Sequence, residues 1–268
     1  MSGKVIYNKA GGYTGFIGNV MFQTAATIGI AVKNNMSYCF PHKEYHNYFK
    51  GDIPQPSFPQ PSMIDHNEHH YHFTDVILNP SQNYNLTGYY QSEKYWSHCE
   101  SLIKNIFSYN DDIVDYVDNK YSFLFNKGKV LVSIHVRRGD YLTLPNHHPV
   151  LPLSYYIDAS KEISSLVNMP ITYVVFSDDM AWCRENFDEE LLNGSIVFAD
   201  ANTPIQDMCL ISLCDHNIIA NSSFSWWGSY LNNNIDKIIV APTKDKWYGS
   251  EYKHWNLDDL YLSNWILK

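Results

Sequence analysis

Three polar clusters in the second half of the chain have the residue types and spacing to handle a phosphorylated ligand. The first is His135-Val136-Arg137-Arg138-Gly139-Asp140-Tyr141. A guanidinium presents a rigid fork of N–H donors that grips two phosphate oxygens at once. Gly139 lets backbone approach a ligand closely, and Asp140 is suited to pair with an arginine and hold it. An exposed turn with a surface ion pair would use the same residues. The second cluster is Phe176-Ser177-Asp178-Asp179. A carboxylate there matches the N–H donor edge of guanine, and paired acids also hold metals. Capping of a following helix by Ser177 or Asp178 is the plainer alternative. The third is Asn221-Ser222-Ser223-Phe224-Ser225-Trp226-Trp227-Gly228. Small hydroxyl residues opening a helix make an anion site from amides, hydroxyls and the helix dipole. Phe224 or a tryptophan would pack a base or sugar; capping by Ser222 or Ser223 with aromatic core packing is the alternative.

These clusters need elements that place them together. Each ends an apolar run that reads as a strand: Val130 to His135, Ile171 to Phe176 and Asn217 to Ala220. Ile196 to Phe198 and Lys237 to Val240 are further strands. Between them read helices over Pro152–Val167 (with Ser154 as cap), Met180–Phe187, Pro204–Cys214 and Ser223–Asn232. Thr203-Pro204 is a strong helix start. Strands separated by helices give a parallel, doubly wound α/β sheet, where ligands sit beyond the strand carboxyl ends. Alternation sends His135 and Arg137 to one face and Arg138 elsewhere.

The first half opens with a strand over Lys4–Tyr7, a glycine-rich turn from Gly11 to Gly18 and a helix over Asn19–Lys33. The turn is not GxGxxG and has no P-loop lysine, so neither a dinucleotide nor a P-loop reading fits it. Pro54 to Pro61 holds four prolines, and Asp65 to His72 is polar; together they read as a long surface loop. Its His66, His69, His70 and His72 read as solvated rather than metal-binding. A helix covers Glu100–Phe107. Asp111-Asp112 and Asp258-Asp259 read as helix-start or solvated acids. The polar break Asn126–Lys129 marks a boundary between a domain of residues 1–128 and one of 129–268.

Bulk properties narrow the classes. Apolar residues make up 45% of the 268 residues and charged residues 18%, too apolar a balance for disorder. The net charge of −9, with no long basic run, argues against a nucleic-acid partner. Five cysteines without a CxxC motif read as reduced thiols, hence a cytoplasmic setting. The first eight residues lack the pattern of a signal peptide, and no apolar run reaches the roughly 18 residues of a membrane span.

The clusters, in order, resemble the α1,2-fucosyltransferases of glycosyltransferase family 11. Residues Gly15 to Gln23 are similar to the family's GGLGNQMFQ, with Ile17 and Val20 in place of its Leu and Gln. Gly88-Tyr89-Tyr90-Gln91-Ser92-Glu93-Lys94-Tyr95 is similar to GYFQSEKY. His135 to Tyr141 matches HxRRGDY, Phe176 to Asp179 matches FSDD, and Asn221 to Gly228 matches NSSFSWWG. The resemblance implies a GT-B fold: two Rossmann-like halves with parallel sheets facing a cleft, the amino-terminal half on the acceptor side. It implies GDP-fucose in the carboxy-terminal half, inversion at the anomeric carbon, and an α1,2 link to a galactose-type acceptor. It implies no metal and no other cofactor.

On that reading Arg137 meets the leaving diphosphate together with Ser222, Ser223 and the helix start at Phe224. His135 reaches ribose or phosphate, Asp178 or Asp179 reads guanine, and Arg138, Gly18 and Asn19 complete the donor site. The base is Asp140, tempered by Arg138 beside it, or His147 or His148, whose residue type titrates near neutrality; Glu93 is a further option. Rival readings are an O-fucosyl or GDP-rhamnose transferase, and a non-catalytic glycan-binding protein.

Overall fold

The computed structural model describes residues 16–41, 44–55, 62–125 and 128–268, and the backbone of 5–7. The chain forms two compact units: Met1–Asn110 with Trp255–Leu262, and Asp111–His254 with Ser263–Lys268.

The first unit comprises β1 (Val5–Tyr7), α1 (Ile17–Lys33), β2 (Ser37–Cys39), β3 (Ile64–Asn67), β4 (Tyr84–Thr87) and α2 (Glu100–Ile106). Its sheet runs β2-β1-β4-β3, and every pairing is parallel. The strand expected to begin at Lys4 is described from Val5. The glycine turn up to Gly15 and the segment 56–61 lie outside the described residues.

One expectation is overturned here. Asp65–Asn67, taken for part of a loop, belong to β3, paired from Ile64↔Tyr84 to Asn67↔Thr87. An edge strand pairs on one side only and tolerates polar side chains, so it need not show apolar alternation. Its Asp65 carboxylate accepts a 2.7 Å hydrogen bond from Asn85 Nδ2.

The second unit comprises α3 (Asp111–Tyr121), β5 (Val130–Val136), α4 (Leu153–Leu166), β6 (Ile171–Ser177), α5 (Met180–Asn186), α6 (Glu189–Leu192), β7 (Ser195–Phe198), α7 (Pro204–Leu213), β8 (His216–Ile218), α8 (Ser223–Tyr230), β9 (Ile239–Ala241) and β10 (Ile266–Leu267). The parallel sheet runs β10-β9-β8-β5-β6-β7. Val132, Ile134 and Val136 of β5 pack into a core with Tyr155, Tyr156, Ala159 and Ile163 of α4. Ser133 and His135 alternate to the other face, where Ser133 Oγ accepts from Asn217 Nδ2 at 2.8 Å.

The unit boundary precedes the expected break at 128. Helix α3 belongs to the second unit because its last turn is bonded there. Lys120 Nζ donates to Asp200 O (2.6 Å) and Asn202 Oδ1 (2.7 Å), and Asn202 Nδ2 donates to Tyr121 Oη (2.8 Å). Asp111 opens α3 as read. Late in the chain, Trp255 returns to stack on Tyr71 with ring centroids 3.5 Å apart. Asp259 is not solvated as expected: it accepts from Phe73 N at 3.0 Å and pairs with Lys94.

Helix α7 starts as its sequence dictates, with Thr203 N donating to Gln206 Oε1 at 2.8 Å in a capping box. Ser154 is not a cap; Pro152 holds that position and makes no side-chain bond. Among the described residues no helix is long and apolar enough to cross a membrane, and no cysteine is in a disulfide.

Candidate active site

Strand β5 continues to β6 and β7 on one side, and the chain then returns to lay β8 and β9 on the other. The order of strand addition therefore reverses between β5 and β8, which remain parallel. Open parallel sheets bind ligands beyond the carboxyl ends of the strands at such a point. The segments leaving β5 and β8 there are 137–141 and 219–223, which carry the end of the first cluster and the start of the third. The second cluster ends β6, the other neighbour of β5.

Both arginines are held by carboxylates. Arg137 Nη2 lies 2.6 Å from Asp140 Oδ1, and its Nη1 lies 3.0 Å from Asp178 Oδ2. Arg138 Nε lies 2.9 Å from Asp179 Oδ2, and its amide donates to Asp178 Oδ1 at 2.9 Å. Each guanidinium also stands over a ring: Arg137 Cζ is 5.4 Å from the centroid of Tyr141, and Arg138 Cζ is 4.2 Å from that of Trp182. Two carboxylates on two nitrogens fix the plane of the Arg137 fork.

Asp178 and Asp179 thus have both oxygens engaged within the protein. Asp179 also caps α5 by accepting from Trp182 N at 3.2 Å, in place of the expected Ser177 or Asp178. The Arg138 hydrogen bond, followed by the Trp182 amide, holds the Asp179 carboxyl below its ordinary range. Gly139 lets Asp178 approach closely: a Cβ there would lie 2.4 Å from Asp178 Oδ2, at the far end of that side chain.

His135 is buried behind this turn, with Nδ1 2.9 Å from Ser225 Oγ and its ring 5.2 Å from that of Phe224. Burial, aided by Arg137, pulls its pKa down to about 3, so the imidazole is neutral. Its exposure of 6% leaves it supporting Ser225 and Phe224 from below. Ser222 caps α8, its Oγ accepting from Phe224 N, and Ser223 is the helix's first residue. Trp226 and Trp227 are wholly buried. Of the aromatic residues in this cluster, Phe224 is the one open to a ligand.

The remaining expected residues divide. His147 is closed on both ring nitrogens: Nε2 lies 2.8 Å from Glu251 Oε2 and Nδ1 3.1 Å from Tyr252 Oη. His148 stacks on Tyr141, with centroids 4.6 Å apart and planes at 12°. Gly18 and Asn19 lie in the first turn of α1, in the first unit, where Asn19 Oδ1 accepts from Gln91 Nε2 at 3.0 Å. Among the described residues, no group of three His, Cys, Asp or Glu is arranged to hold a metal.

Two contributors were not singled out from sequence: Trp182, under Arg138, and Tyr141, whose hydroxyl donates to Asn221 O at 3.0 Å. Trp182 lies in the first turn of a helix that Asp179 caps, a placement that could have flagged it. The Tyr141–Asn221 bond spans 80 residues and leaves no local signature.

Comparison with known proteins addresses the family and the fold. The chain is 32% identical over 194 residues to an O-antigen biosynthesis glycosyltransferase of Escherichia coli, covering 70% of this chain and 62% of that protein. It is 34% identical over 169 residues to an alpha-1,2-colitosyltransferase of Escherichia coli, covering 61% and 56%. It is 29% identical over 244 residues to galactoside alpha-(1,2)-fucosyltransferase 2 of Hylobates lar, covering 85% and 69%. The matches thus span less than two thirds of the two bacterial relatives. A mutant of Arabidopsis thaliana FUT1 solved in complex with GDP superposes with a TM-score of 0.60 at 12% identity, covering 93% of this chain and 74% of that one. The fold is GT-B. The chain belongs to glycosyl transferase family 11, whose sequence profile matches residues 15–268.

Proposed function

We propose that this chain is an inverting glycosyltransferase that moves fucose from GDP-fucose to the 2-hydroxyl of a galactose-type acceptor, without a metal. The observation that carries the reading is Arg137, oriented by two carboxylates where the segments leaving β5 and β8 meet. In the transfer, the bond from the sugar's anomeric carbon to the β-phosphate oxygen breaks, and the electron pair leaves with GDP. The acceptor oxygen bonds the same carbon from the opposite face, and its proton passes to a base. Arg137 and the start of α8 stabilise the charge growing on the diphosphate. Ser222 and Ser223 contribute hydroxyls, and Phe224 packs the donor. Arg138, with Asp178 and Asp179, holds the turn.

Asp140 is the proposed base. Its side chain and that of His147 are equally exposed, at 40%, but Asp140 meets Arg137 through Oδ1 whereas His147 has both ring nitrogens engaged. The donor assignment draws on the galactoside fucosyltransferase relative and on the GDP complex of the structural neighbour. The 34% identity to a colitosyltransferase favours one second reading, transfer of colitose.

Incubation with GDP-fucose or GDP-colitose and a panel of galactosides, followed by NMR of the products, tests both. An α1,2-fucosylated galactoside is expected. Product from GDP-colitose alone would move the donor assignment, and no transfer from either donor would defeat the reading.

A further inference from the structure

Arg137 and Arg138 are neighbours in sequence, yet they are anchored differently. Arg138 takes its ring and its carboxylate from the start of one helix: Trp182 and Asp179 both belong to the first turn of α5 or its cap. The ring beneath Arg137 is Tyr141, only 7% exposed. Its hydroxyl crosses from the β5 turn to the β8–α8 turn, donating to Asn221 O at 3.0 Å. The residue after that carbonyl, Ser222, is the cap of α8.

Asn221 is itself immobilised. It is 2% exposed, and its Nδ2 donates to Pro149 O (2.9 Å), Lys246 O (3.1 Å) and Trp247 O (3.3 Å). His148, stacked on Tyr141, fixes the ring's plane from the same segment that Asn221 grips. The phenol thus links the guanidinium it supports directly to the cap of α8, while His135 ties β5 to the first turn of the same helix through Ser225.

We propose that Tyr141 is the positioning residue of the diphosphate grip: its ring supports Arg137 while its hydroxyl keeps the amino terminus of α8 in register with that guanidinium. This rests on the GDP-sugar reading above. A diphosphate has two charged groups a fixed distance apart. A grip built from two strand ends holds both only if those ends keep their spacing. Loss of the hydroxyl leaves each half intact and leaves the spacing between them to the β5–β8 pairing and the His135–Ser225 bond.

The test compares wild type, Tyr141→Phe and Tyr141→Leu by calorimetric titration with GDP and with guanosine, alongside donor KM, kcat and thermal midpoint. Tyr141→Phe is expected to weaken GDP on the order of 10-fold, as one lost hydrogen bond does, and to raise donor KM with guanosine affinity unchanged. Tyr141→Leu, which also removes the ring, is expected to lose more. A role in folding alone would lower the midpoint and the active fraction while leaving Kd and KM where they were, and that result overturns the proposal. Equal weakening of GDP and guanosine also overturns it. Wild-type protein that binds no GDP at all removes the nucleotide reading and this assignment together. Wild type that binds GDP, with Tyr141→Phe binding equally, removes this assignment alone.

Discussion

The turn at residues 137–141 and the turn at residues 88–92 are both motif segments shaped around a carboxylate that accepts from their backbone, and only the first also sets that carboxylate against a cation. In the second unit, Asp178 and Asp140 both meet the Arg137 guanidinium and hold its charge in place, and the other oxygen of Asp178 accepts from Arg138 N. In the first unit, the Glu68 carboxylate meets backbone: it accepts from Tyr89 N at 2.7 Å and from Tyr90 N at 3.0 Å. Each turn has a glycine where a side chain would strike the acid. A Cβ on Gly139 would lie 2.4 Å from Asp178 Oδ2, and one on Gly88 would lie 2.4 Å from Glu68 Cβ. Gly88 also has φ +156°, and Tyr90 has φ +51°. One turn divides its carboxylates between aiming a cation and holding backbone; the other uses its carboxylate on strained backbone alone.

Substitutions should separate the two. The largest effect is expected at Arg137: Arg137→Ala should slow sugar transfer by roughly 10² to 10³ with little change in thermal midpoint. Arg137→Lys should be nearly as slow, because one ammonium lacks the two-pronged fork. A midpoint collapse in either variant would make the 137–141 turn a folding element like the other. Next is Gly88→Ala, which must solve both a positive φ and a clash close to the Glu68 backbone. It should cost about 1–3 kcal/mol in denaturant unfolding. Gly139→Ala meets only the far end of the Asp178 side chain. Its stability should stay near that of wild type, while GDP affinity falls several-fold as Asp178 leaves Arg137.

The smallest expected effect is an opposite dependence on pH. Burial, against the pull of the Tyr90 and Tyr89 amides, raises the Glu68 pKa. Its contribution to stability is therefore present in acid and is lost as pH rises through the raised value. Asp179 is depressed by Arg138 and the Trp182 amide. Its contribution is present above the ordinary carboxylate value and is lost as pH falls through the depressed one. Midpoints of Glu68→Gln and Asp179→Asn relative to wild type, measured across acid and neutral pH, should diverge in opposite directions. Parallel trends would break the contrast between the turns.

The second unit was legible where long apolar runs end in charge. Val130–Val136 and Ile171–Ser177 are seven-residue strands, and the polar clusters follow them directly. Strands β2 and β4 of the first unit are three and four residues long, too short for periodicity to register. Strand β3 was hidden by its polar edge. The ion pairs were only half legible. Adjacency set Arg138 beside Asp140, but the chain folds back after β5, with Leu142 N donating to Arg138 O at 3.0 Å. That turn gives Asp140 to Arg137 and leaves Arg138 to Asp179. The bond from Tyr141 to Asn221 depends on the β5–β8 pairing and on nothing near it in sequence.

The central claim is that Arg137 grips a nucleotide's diphosphate. Parallel calorimetric titration of wild type and Arg137→Ala with GDP and with guanosine tests it most directly. The account predicts that wild type binds GDP far more tightly than guanosine, and that Arg137→Ala weakens GDP by roughly 10- to 100-fold while leaving guanosine untouched. Wild type with equal affinity for the two, or an Arg137→Ala variant with undiminished GDP affinity, would contradict it.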